Sequence, residues 1–223
     1  MTFQDRIDRW LDYKAGGGDY ADLFTKSGMG DFFAAYRVSA QDLAALKGLS
    51  KAGKVNRMIL HMGIDESNKL SPFLQYGDSV EGDAMLLELD TQEGLPTLPG
   101  TAPGKTSNHL HITQKQADEM IKGLWGKDLN KAVLTKKSKE LVRKYSFRAD
   151  LNDQELLGEL PISSRVHFWF GIYSAEELSN PPSGVGQVAD FPVLNALLTL
   201  FHEVKEGTDD CSYDYSVPCP PTC

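Results

Sequence analysis

The hydrophobic pattern is clearest in two stretches that echo each other. Residues 56–64 read Asn-Arg-Met-Ile-Leu-His-Met-Gly-Ile, and residues 164–172 read Ser-Arg-Val-His-Phe-Trp-Phe-Gly-Ile. Each is a polar residue, an arginine, five mostly apolar residues and Gly-Ile. Each is followed by a polar turn, Asp65-Glu66-Ser67 or Ser174-Ala175-Glu176. Leu70-Ser71 lies as far past Arg57 as Leu178-Ser179 lies past Arg165. Short apolar runs ended by glycine and a turn predict strands. Alternation then puts Met58, Leu60, Met62 and Ile64 on one face and Arg57, Ile59, His61 and Gly63 on the other. In the second copy Val166, Phe168, Phe170 and Ile172 oppose Arg165, His167, Trp169 and Gly171. If the two strands are neighbours, their Arg/His/Gly sides form a polar groove, with a glycine admitting a close approach to the backbone. The plainer account is a sheet with one side on the core and the other on solvent or under a helix.

The remaining pattern fills in around these strands. Thr2 caps a helix over 2–14, with Asp5 at the third position and Phe3, Ile7, Trp10 and Leu11 in one stripe, and Gly16-Gly17-Gly18 stops it. A second helix runs over 20–27. Residues 32–38 are apolar and aromatic and fit a strand or a turn of helix equally. Ser39 with Asp42 opens a helix through Leu46 or Leu49. Residues 72–76 and 84–89 read as strands joined by the turn 77–83, a hairpin or meander beside the first echo strand. A Pro- and Gly-rich loop covers 91–108. Thr113 and Gln116 form a capping box for a helix over 114–125. Asn152 or Asp153 starts a short helix ending by Pro161. Asp190 caps a last helix, with Val193, Leu194, Leu197, Leu198, Phe201 and Val204 as its buried stripe and His202 at the border. Residues 206–223 show no periodicity and read as a flexible tail. The fold class is α+β: a helical N-terminal third (1–53), an antiparallel or mixed sheet with packed helices over 54–205 in the same domain, and the tail 206–223.

Composition narrows the function classes. The 223 residues are 41% hydrophobic and 24% charged, with a net charge of −8. That is an ordinary globular balance, and the negative charge points away from general nucleic-acid binding, which depends on displacing counterions from phosphates. The N-terminus is charged and amphipathic, without the basic and apolar regions of a secretory signal, and no run reaches membrane-spanning length. The expectation is a cytoplasmic protein that binds neither membrane nor nucleic acid. Charge is segregated: residues 65–93 are acidic, with Lys69 alone opposing them, and 127–148 are basic. The acidic turn lacks the ligand spacing of an EF-hand, and the two segments can complement each other within one molecule.

Candidate chemistry lies in three places. Gly104-Lys105-Thr106 suggests a phosphate loop, but Pro99 stands where the first glycine is required. His109 and His111 share one side of an extended segment, as paired imidazole metal ligands do. His111-Ile112-Thr113 resembles one half of the two-histidine phosphoesterase signature. His61 and His167 lack the hydroxyl that the other half needs. Cys211, Cys219 and Cys223, all of the chain's cysteines, fall in its last segment. They are candidate metal ligands, although Cys-x7-Cys-x3-Cys is not a known zinc spacing.

The Arg57–Gly63 strand together with the ending Pro-Cys-Pro-Pro-Thr-Cys, residues 218–223, resembles a group of uncharacterised bacterial proteins. The resemblance implies a bacterial origin and supplies no activity.

Three functions follow as expectations. The first is a non-catalytic binding or accessory protein whose cysteine tail engages a partner or a metal. The second is a hydrolase or phosphoesterase using His109 and His111 with His61 or His167 as metal ligands or acid/base groups, and Arg57 or Arg165 to steady an anion. It requires at least two of these histidines to converge. The third is a carrier whose C-terminal segment is post-translationally modified. The cofactor is not specified by the sequence.

Overall fold

The computed structural model describes residues 1–24, 35–90, 129–134, 141–147, 160–173, 193–202, 211–213 and 216–219. The elements are α1 (Phe3–Asp12), α2 (Tyr20–Phe24), β1 (Ala35–Val38), α3 (Ala40–Lys51), β2 (Met58–His61), β3 (Phe73–Gln75), β4 (Ala84–Asp90), α4 (Leu129–Ala132), β5 (Lys144–Phe147), a 3-10 turn (Leu160–Ile162), β6 (Ser163–Tyr173), β7 (Val193–His202), β8 (Cys211–Tyr213) and β9 (Ser216–Cys219).

Both capped helices form where the sequence places them. The Thr2 hydroxyl oxygen accepts from the Asp5 amide at 3.0 Å, and the Thr2 amide donates to the Asp5 carboxylate at 2.7 Å. The Glu81 carboxylate, from the β3–β4 turn, accepts from the next two amides, Phe3 at 3.3 Å and Gln4 at 2.8 Å. The amides that open a helix have no partner within it, and here a remote loop supplies one. The Ser39 hydroxyl oxygen caps α3 by accepting from the Asp42 amide at 3.0 Å.

The sheet order is β8-β7-β6-β1-β4-β3-β2-β5-β9, and every described pairing is antiparallel. The six central strands, β6 to β5, curl. Phe147 of β5 meets Phe168 of β6 at 5.4 Å between ring centroids, and Tyr145 meets Phe170 at 6.2 Å. These strands are separated by four others in the hydrogen-bonded order, so only a curved sheet brings the rings together. The echo strands keep their predicted faces. Met58, Leu60, Val166, Phe168 and Phe170 lie in the interior with Met62 and Ile64. Trp10, Tyr20, Leu23, Phe24, Leu43 and Leu46 of the helices fill the same core. Within it the Trp10 indole donates to the Val142 carbonyl at 2.8 Å and the Tyr20 hydroxyl to the Trp10 carbonyl at 3.0 Å.

Several expectations are corrected. Residues 193–202 form β7, not a helix: the strand pairs with β6 through residues 193–202, apart from one register shift near Ser163. The stripe from Val193 to Val204 fits helical spacing, but the run is apolar nearly throughout and suits a buried strand equally, and the long β6 template decides. The undecided 32–38 segment contains β1. The echo strands β2 and β6 are not neighbours, because β3, β4 and β1 lie between them, and no groove forms between their polar sides. Among the described residues of 206–223, Cys211–Tyr213 pairs with β7 and Ser216–Cys219 with β5. The helices expected over 114–125 and from 152, and the Gly104-Lys105-Thr106 loop, lie outside the described residues. Among the described residues no helix is long and apolar enough to cross a membrane.

Candidate functional site

His61 projects from the outer face of β2, opposite Phe73 on β3 and Lys144 on β5. Its ring stacks on Phe73, with centroids 4.8 Å apart and planes 5° apart. Its Nε2 lies 2.8 Å from the Gln75 Oε1. The Gln75 amide nitrogen donates to the Gly77 carbonyl at 2.8 Å, which fixes Oε1 as the acceptor and makes His61 the donor through Nε2. Burial pushes the His61 pKa down to about 4, against the hydrogen bond that His61 donates to Gln75 and with help from the Lys144 ammonium.

His167 lies on the same outward side of β6, two residues before the echo counterpart of His61, opposite Arg37 of β1 and Thr199 of β7. It is 3% exposed. Its Nε2 lies 3.2 Å from the Asp90 carboxylate at the end of β4. Trp169 stands edge-to-face against it at 5.8 Å and 87°. Arg37 is held by Glu88, Nε to Oε2, at 3.1 Å. Burial lowers the His167 pKa to about 4; Asp90 opposes the shift, and Arg165 and Arg37 add to it. Arg165 and His167, both singled out in the sequence, therefore act on each other. Their partners Arg37 and Asp90 are not legible in the sequence, because they come from β1 and β4, strands distant in sequence. The one available signal was Trp169's place on the polar side of the second echo.

The two histidines do not converge. Adjacent strands lie about 4.8 Å apart, so the four steps from β2 to β6 span roughly 19 Å of sheet, and both side chains leave the convex face. A metal site or acid/base pair built from both is excluded by this placement. Arg57 pairs with Asp78 of the acidic turn. Asp83 accepts from the Ser79 amide at 3.0 Å and Glu81 caps α1, so the carboxylates of this turn serve the fold. Cys211 lies opposite Leu200, and Cys219 lies opposite Lys144. Among the described residues, no group of three or more His, Cys, Asp or Glu side chains is placed to hold a metal ion. His109, His111 and Cys223 lie outside the described residues. Among the described residues an open groove runs along α1, lined by Met1, Asp5, Asp8, Arg9, Asp12 and Glu66. Comparison with models of known families, with curated proteins and with solved structures finds no match.

Proposed function

We propose that the chain is a non-catalytic binding protein of bacterial origin, an α+β protein whose C-terminal segment, 206–223, engages a protein partner or a metal ion through Cys211, Cys219 and Cys223. The supporting observation is how the reactive groups are divided. His61 and His167 are buried in the sheet, far apart, each beside its own neighbour, Gln75 or Asp90. Cys211 and Cys219 fall on β8 and β9, the first and last strands of the order. Native mass spectrometry under reducing conditions tests this on the intact chain beside a variant carrying Cys211→Ser, Cys219→Ser and Cys223→Ser. A bound metal, bound partner or covalent group lost in the variant supports the proposal. The same bound mass on both proteins moves the binding away from the cysteines.

A histidine-dependent hydrolase is the second reading, and His167 within 3.2 Å of the Asp90 carboxylate favours it. A carboxylate beside a histidine can orient it as a general base. This version needs one histidine, with Arg165 steadying an anionic substrate. Turnover of p-nitrophenyl phosphate or p-nitrophenyl acetate that disappears in His167→Gln is its expected signature. Equal rates in the two proteins would sink it.

A further inference from the structure

We propose that the outer-face patch formed by Trp169, Arg37 and His167 binds the oxyanion of a small molecule, a carboxylate or a phosphate. The patch is independent of the cysteine segment, and binding there requires no turnover.

The argument starts from an orphaned donor. Trp169 is 4% exposed, and its indole N–H has no acceptor among the described residues. A buried N–H is ordinarily satisfied, by protein, water or ligand. Trp169 lies opposite Ala35 of β1 and Leu197 of β7 in the two registers, so neither flanking strand places a polar residue directly across from it. Arg37 lies two residues further along β1 on the same face, opposite His167. Its Nε is engaged by Glu88, and its terminal nitrogens make no hydrogen bond to the described residues. The Arg37 side chain is about half exposed, at 47%, which puts it at the solvent side of the patch with the indole further in.

The balance of donors and acceptors gives the ligand its class. The carboxylates are already engaged, Glu88 by Arg37 and Asp90 beside His167. What remains is an indole N–H and the N–H groups of a guanidinium, which offer hydrogens and accept none. The missing member is a group with acceptors only. Carboxylate and phosphate oxygens match a guanidinium in both charge and geometry.

The experiment labels the indole nitrogens of the full-length chain with 15N, giving one signal for each of its three tryptophans; Trp169→Phe identifies the signal of interest. Sodium phosphate and sodium acetate are titrated separately, with sodium chloride at matched ionic strength as control. The expected result is a saturable shift of the Trp169 signal with phosphate, acetate or both, absent with chloride. Loss of a charge-assisted contact in Arg37→Gln raises the half-saturation concentration about tenfold or more. Saturation by phosphate alone assigns a phosphorylated ligand. Saturation by acetate assigns a carboxylate ligand. A signal unmoved by both salts at millimolar concentrations overturns the proposal, as does one that moves equally with chloride. So does a half-saturation unchanged in Arg37→Gln when the other two indole signals stay in place.

Discussion

A histidine buried without charge couples the fold to pH in one direction. His61 and His167 each hold off protonation until about pH 4, whereas an unfolded imidazole takes its proton near 6.5. Between those values the unfolded chain binds more protons, so stability is fully present above about pH 6.5 and declines as the pH falls toward 4. The urea midpoint is expected to drop between pH 7 and pH 5, above the range where most carboxylates titrate. A double variant, His61→Gln with His167→Gln, should flatten that slope; an unchanged slope would mean that neither imidazole is buried neutral. Gly63 offers a second test at this scale. The sequence marks it as a place where something approaches the backbone, and what approaches is the chain itself. A Cβ there would meet the Ser71 carbonyl oxygen at 2.9 Å and the Arg6 Cβ at 3.0 Å. Neither the carbonyl nor the helix behind Arg6 can yield cheaply, so Gly63→Ala should cost about 1–3 kcal/mol in chemical denaturation. The histidines and Gly63 are legible in the sequence, but their surroundings are not. Gln75, Asp90 and Ser71 reach them through strand pairing, which leaves no local spacing to read.

At the scale of elements, what could be read depended on whether a local signal existed. The caps at Thr2 and Ser39, the alternation in residues 56–64 and the polar turn 77–83 each specify one form, and α1, α3, β2 and the β3–β4 hairpin appear there. Residues 193–202 carry a misleading one, a cap at Asp190 and an apolar stripe at helical spacing. Their run of Leu, Ala and Val suits a buried helix or a buried strand, and only pairing with β6 resolves it. Even the well-read α1 has a part the sequence hides. Glu81 belongs to an acidic stretch read as a complement to the basic segment 127–148, yet its carboxylate closes the helix start. Two amides and the positive end of the helix dipole lose their partner together in Glu81→Ala. A loss of about 1 kcal/mol is expected, with Glu81→Gln retaining part of it. Calcium titration provides the contrast: if calcium restored Glu81→Ala to wild-type stability, the turn would have to be re-read as a cation site.

For the whole molecule, the decisive feature is the curl, because it converts a sheet into a container for its own core. Alternation along β2 and β6 predicts one apolar face for each strand, but it cannot say that the apolar faces of β5 and β6 look at each other. That follows only from Phe147 and Tyr145 meeting Phe168 and Phe170 across four intervening strands. A double-mutant cycle separates the possibilities. Phe147→Leu and Phe168→Leu should each destabilise the chain, since both rings are buried. In a flat sheet the rings would lie too far apart to interact, and the two costs would add. In the curled sheet each substitution removes the same aromatic contact. The double variant should then lose less than the sum, by about 0.5–1.5 kcal/mol. A parallel cycle between Phe147 and Leu46, which share the core but have no aromatic contact, supplies the baseline. Coupling in the first cycle that does not exceed the second would remove the direct ring contact, and with it the geometry that sends His61 and His167 outward on a convex face.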